Sequence, residues 1–175
     1  MLARPVPPAG AESSAVIDHQ LFKSVLRQWA SGVTIVTTRA GERIFGMTAS
    51  AFSSVSLDPP LVLVCIEKKA HTLPWIVRSG VFAVNVLADD QQELSNRFAT
   101  EGNESVRFDG LACRSGPTGS PWLPGTVAVL DCRVAAAHGA GDHWIYVGEV
   151  LAAEVAAGRG PLLYFDARYR ALAAR

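Results

Sequence analysis

The sequence predicts a mainly β protein, an antiparallel barrel of about seven or eight strands with two or three short helices. Three observations predict it. Short apolar, β-branched runs recur along the chain between Gly, Pro and Asp punctuation. These runs do not alternate regularly with helical patterns, which argues against a doubly wound parallel sheet. Closure into a barrel would also remove the exposed edges that so many strands create. At 175 residues, with no repeat and no internal boundary, the chain reads as one domain behind a leader at 1–16.

The elements follow in order. The leader is rich in Pro, Ala and Ser and has the composition of a flexible segment. Asp18 is placed to cap a first helix, in which Leu21, Phe22, Val25, Leu26 and Trp29 recur at helical spacing before Gly32 as a stop. Strand patterns cover Val33–Thr38, about Ile44–Ser54, and Leu61–Glu67. Arg39 to Glu42 form a turn between the first two, and Asp58-Pro59-Pro60 interrupts the chain before the third. Thr72 stands near the start of a short helix ending at Arg78, and Val81–Leu87 is a strand. Asp90 to Glu93 fit a capping box that opens a helix to about Thr100. After a Gly/Pro/Ser-rich connection come Thr126–Ala137 and His143–Val155, a long hairpin pair joined through Gly139 to Asp142. A last strand covers Leu162–Phe165.

Bulk composition narrows the function. Sixteen basic and sixteen acidic residues cancel, so no basic stripe suggests nucleic acid, and a weakly charged surface suits self-association. No apolar run reaches the length of a membrane span, and no h-region marks a signal peptide. Cys65, Cys113 and Cys132 form no CxxC pair and read as free thiols of a cytoplasmic protein. The four histidines show no metal-ligand spacing with them, so no metal is expected. No G-x-S-x-G elbow and no GxGxxG loop is present where hydrolase or Rossmann chemistry would need one. Trp29, Trp75, Trp122 and Trp144 read as core or interface anchors.

The stretch Gly46 to Pro60 is the most informative. Thr48, Ser50, Ser53, Ser54 and Ser56 precede its only carboxylate, Asp58, and apolar strand runs flank it. Hydroxyls both donate and accept, which suits a polar ligand lying along a strand; the same residues would also suit an edge strand facing water. A site of hydroxyls and backbone with few charges fits cofactor chemistry, where the protein supplies position and the cofactor supplies reactivity.

Taken with Phe22–Gly32, Lys69-Ala70-His71-Thr72, Val81–Leu87, Asn96–Ala99, Gly141-Asp142-His143, Val147–Val150, Pro161–Tyr164 and Arg168-Tyr169, this stretch resembles the short-chain flavin reductase family over about Leu21 to Leu172. The resemblance implies a flavin-binding split β-barrel that works as a homodimer. It implies an NAD(P)H:flavin oxidoreductase that passes hydride to FAD or FMN and releases reduced flavin to a separate monooxygenase. Met47, Thr48, Ala49 and Ser50 would lie along the isoalloxazine, and Ser53 and Ser54 would reach the ribityl chain or phosphate. Lys69, Ala70, His71 and Thr72 match a phosphate loop, with Ala70 in place of a frequent serine. Gly141, Asp142 and His143 would form the nicotinamide site, with His143 the catalytic residue and Asp142 shaping the turn. Arg97 would reach a phosphate, Phe98 would show one edge to the flavin, and Arg168 and Tyr169 would touch it. The absence of an Arg cluster favours NADH over NADPH. A flavin-storage protein, a pyridoxamine-phosphate-oxidase-type enzyme and a barrel for protein interaction stay open as alternatives.

Overall fold

A computed structural model describes residues 17–173; the expected leader at 1–16 lies outside them. The described chain is dominated by one seven-stranded antiparallel sheet. Its elements are α1 (His19–Leu26), β1 (Ser31–Gly32), β2 (Thr34–Ala40), β3 (Arg43–Ala49), β4 (Phe52–Leu57) and β5 (Pro60–Glu67). Next come α2 (Leu73–Ser79), β6 (Val81–Val86), α3 (Gln92–Ala99), a 3₁₀ turn (Glu104–Val106), β7 (Arg114–Ser115) and β8 (Pro121–Trp122). The chain continues through β9 (Ala128–Ala140), β10 (His143–Val155), β11 (Leu163–Phe165) and β12 (Arg168–Arg170).

The strand order of the sheet is β3-β2-β6-β9-β10-β5-β4. This order has a geometric consequence. β3 and β4 are the two outer strands, yet only Ser50 and Ala51 separate them in sequence. The sheet therefore has to curl until its two edges approach each other. Its interior shows this: Val36 of β2, Phe82 of β6, Tyr146 of β10 and Val64 and Ile66 of β5 share one buried cluster with Leu73 and Ile76 of α2. The seam between the edges carries no ladder. The closure expected as the remedy for exposed edges is thus not made by hydrogen bonds, and β4 stays an edge.

Alternation sets the faces. In β5, Val62, Val64 and Ile66 point inward and the residues between them lie half exposed. A second core of Val33, Ile35, Leu87, Phe98, Leu123 and Leu162 forms under α3. Between strands, Asn85 is fully buried and fully used: its Nδ2 donates to Ile35 O (3.0 Å) and Thr37 Oγ1 (3.1 Å), and its Oδ1 accepts from Leu123 N (2.8 Å). Gly46 lets α3 approach β3, since a Cβ there would lie 2.8 Å from the Phe98 ring.

Several expectations are corrected. The single run Ile44–Ser54 is two strands, because Phe52 N turns back to Ser50 O and β4 pairs with β5 instead of β2. Asp18 does cap α1, accepting from Gln20 N and Leu21 N, but the helix ends at Leu26, well short of Gly32. No capping box opens α3: Asp90 pairs with Arg159, and the Gln91 side chain bonds Ala88 N and Pro124 O. Of the tryptophans expected as core or interface anchors, Trp122 is buried and Trp75 stacks on Phe45 at 4.3 Å, while Trp29 is 78% exposed and outside the core.

Candidate active site

A cleft of about 680 Å³ opens beside the end of β3. Its walls come from the end of β3, the turn between β5 and α2, the inner face of α3, the segment after α3, and the β11–β12 hairpin. The size is in the usual range for a cofactor or substrate site.

The β3 wall brings Met47, Thr48 and Ser50 to the cleft. Thr48 Oγ1 donates to Ser95 O (2.7 Å), which leaves the hydroxyl's lone pairs free to accept. Ser95 is fully buried and ties α3 to β12: Tyr169 OH donates to Asn96 Oδ1 (2.9 Å), so the Ser95 hydroxyl must be the donor in the 2.9 Å contact with Tyr169. This chain of bonds fixes three walls of the cleft relative to one another.

The turn after β5 supplies Lys69, Ala70, His71 and Thr72. Lys69 Nζ lies 3.2 Å from a Glu67 carboxylate oxygen, and that contact raises the lysine above its ordinary value, with Glu101 and Asp142 adding to the effect. Thr72 is 1% exposed, and its Oγ1 has no partner. It does not cap α2. A buried hydroxyl without a partner is costly and marks a place where an external group would complete the bonding. The other such atom among the described residues, Trp122 Nε1, sits against Gly116 and away from the cleft.

The segment after α3 contributes groups that sequence reasoning missed, Glu101, Gly102, Glu104 and Arg107. The Arg107 guanidinium is buried and donates to Gly46 O (2.8 Å), Thr100 O (2.6 Å), Asn103 Oδ1 (3.2 Å) and Glu104 Oε1 (3.4 Å). Burial lowers its pKa, and the Glu104 carboxyl is held low by its own backbone N–H and that of Gly102. In the sequence these residues look like charges in a polar loop. Tyr164 and Glu67 also line the cleft and were read only as strand residues.

The other expected residues take different places. Phe98 is buried and lines the cleft, as does Tyr169. Ala49 points into the core, and Ser53 and Ser54 are exposed on edge strand β4, with Ser53 Oγ donating to Ser54 O (3.1 Å). The Arg97 guanidinium donates to Val106 O (2.5 Å) and Asp109 O (2.7 Å), so it braces the loop, and Arg168 is exposed. Gly141, Asp142 and His143 lie at the turn of the β9–β10 hairpin, and none of them lines the cleft. Lys68 holds that turn, with its N donating to Asp142 O (2.9 Å) and its Nζ to Gly141 O (2.6 Å). His143 Nδ1 is hydrogen-bonded to Asp142 Oδ1 at 2.7 Å, which keeps the Asp142 carboxyl below its ordinary range. His143 stands opposite Glu67 in the β10–β5 ladder, so the two side chains project from the same face.

Comparison with known proteins agrees with this geometry. The chain is 38% identical over 160 residues to the flavin-dependent monooxygenase reductase subunit HsaB of Rhodococcus jostii, covering 91% of this chain and 81% of that one. It is 46% identical over 132 residues to the FMN reductase (NADH) SmoA of Agrobacterium fabrum, covering 75% and 74%. The solved structure of the Streptomyces globisporus NADH:FAD oxidoreductase SgcE6 superposes with a TM-score of 0.84 at 35% identity over 95% of this chain and 100% of that one. Residues 26–173 match the model of the flavin reductase like domain, and the chain belongs to that family.

Proposed function

We propose that this protein is an NADH-dependent flavin reductase that reduces FMN or FAD and hands the reduced flavin to a separate monooxygenase. The observation that carries the reading is the unpartnered, buried Thr72 hydroxyl beside Lys69 at one end of a cleft whose β3 wall offers hydroxyls and backbone. A phosphate there would satisfy Thr72 and meet a cation. The flavin ring would lie along Met47, Thr48 and Ser50, with Phe98 and Tyr169 bounding it. Bound flavin would supply the hydride acceptor. The names of HsaB, SmoA and SgcE6 support the same chemistry and a donor of the NADH type.

The chain's own residues have the following parts in this reading. Thr48 accepts a hydrogen bond from the ligand while anchored on Ser95. His143, across the ladder from the cleft-lining Glu67, and Asp142 orient the nicotinamide, Asp142 fixing the imidazole and Gly141 allowing the turn at φ +58°. Ser53, Ser54 and Arg168 would be reached only by parts of a flavin that leave this cleft, Ala49 is turned into the core, and Arg97 acts through the loop it braces.

A homodimer belongs to the same proposal. α1 buries none of its residues, and Leu21, Phe22, Val25, Leu26 and Trp29 are each about half exposed or more, as are Val55 and Leu57 on β4. An amphipathic helix beside an apolar edge strand is a surface that a second copy would cover. The free thiols suit a reducing, cytoplasmic setting.

The test is NADH oxidation by purified protein with no flavin, FMN, FAD or riboflavin added. Oxidation that depends on added flavin is expected. Flavin bound without turnover would refute the reductase reading in favour of storage.

A further inference from the structure

The phosphate end of the cleft carries more negative charge than an anion site needs. Five lining residues are charged: Lys69 and Arg107 against Glu67, Glu101 and Glu104. Arg107 is consumed by Glu104 and by three backbone or amide oxygens deep in the wall. That leaves Lys69 as the cation facing the ligand, and it is already engaged by Glu67 at 3.2 Å with Glu101 close enough to act on it. The ion pair is open to water, with side-chain exposures of 73% and 40%, so it is weak and exchangeable.

We propose that Glu67, seconded by Glu101, sets the affinity for flavin phosphate: it holds Lys69 in the empty cleft and competes with each phosphate that arrives. The inference rests on the flavin reading of the cleft. A phosphate must take Lys69 from Glu67 and then sit beside two carboxylates that no cation fully offsets. Phosphorylated flavin is therefore gripped below the strength that Lys69 and Thr72 alone would give. A reductase whose product must leave for another enzyme benefits from such a grip. A riboflavin ring, which lacks the phosphate, is indifferent to Glu67.

The experiment is equilibrium titration of FMN and riboflavin into wild type, Glu67→Gln, Glu101→Gln, Lys69→Met and Glu67→Gln/Lys69→Met, followed by fluorescence quenching at low and high salt. Glu67→Gln is expected to tighten FMN about two- to fivefold and leave riboflavin unchanged. Glu101→Gln should give a smaller gain of the same kind. Added salt should narrow the difference, and the gain from Glu67→Gln should shrink when Lys69 is absent. Equal FMN affinity in wild type and Glu67→Gln would overturn the inference while leaving the flavin site standing. Weaker binding of both ligands would overturn it too, by showing that Glu67 contacts the flavin directly. If wild type binds neither FMN nor riboflavin, the cleft reading itself fails, and the inference with it.

Discussion

Thr72→Val separates binding from stability in opposite directions. Valine keeps the shape and removes only the hydroxyl. Thr72 is 1% exposed and its hydroxyl has no partner within the protein, which corresponds to a desolvation cost of about 1–3 kcal/mol. The backbone role of Thr72 is untouched, since its carbonyl still accepts from Trp75 N and Ile76 N. Valine should therefore stabilise the free protein by about 1–2 kcal/mol, raising the melting temperature by roughly 2–8 °C for a domain of this size. Binding should move the other way. A hydrogen bond to a charged phosphate is worth about 1.5–3 kcal/mol, so FMN should bind about 10- to 150-fold more weakly, with riboflavin unaffected. Thermal melts with and without FMN read both effects on one sample. A destabilised variant, or one that keeps wild-type FMN affinity, would refute the assignment of Thr72 to a phosphate.

Three further outcomes are expected. Arg107→Met leaves Gly46 O, Thr100 O and Glu104 without their buried donor and should cost about 3–5 kcal/mol in urea unfolding; a loss under about 1 kcal/mol would contradict the bracing role. The Cys132 thiol is pushed up to about 12 from 9.0, chiefly by burial, so between those values the native state keeps a proton that the unfolded state loses. Stability should then fall as pH rises through this window, by about 1.4 kcal/mol per pH unit, and Cys132→Ala should flatten that fall; an equal slope in both proteins would contradict it. His143→Ala should raise the KM for NADH by about tenfold while the FMN Kd stays within about twofold, and an unchanged KM would remove His143 from the nicotinamide site.

The fold was legible where strand patterns are bounded by strong punctuation. β5, β6 and β10 begin close to their expected limits because Pro60, Gly80 and the Gly141-Asp142 turn mark where each run of strand-forming residues opens. The break at Ser50–Ala51 was not legible, since neither residue interrupts a strand by its own chemistry; the break is set by which neighbour each half pairs with. β12 carries Arg168 and Arg170, and a charged three-residue strand gives no periodic signal. In the cleft, the Lys69–Thr72 turn and the β3 hydroxyls were readable as local clusters. Arg107, Glu101 and Ser95 were not, because their roles depend on a wall assembled from α3 and the loop after it, and nothing local marks a buried guanidinium. Arg97 shows the converse: a plausible phosphate ligand by position, it is spent on the carbonyls of Val106 and Asp109.

The central claim is that this cleft holds a flavin which takes hydride from NADH. The most direct measurement is rapid anaerobic mixing of the protein–FMN complex with NADH, following nicotinamide and flavin absorbance together. The account predicts that both decay at one rate, one NADH consumed per flavin bleached, and that His143→Ala slows the decay. Bound flavin that stays oxidised, with NADH unconsumed, would contradict it.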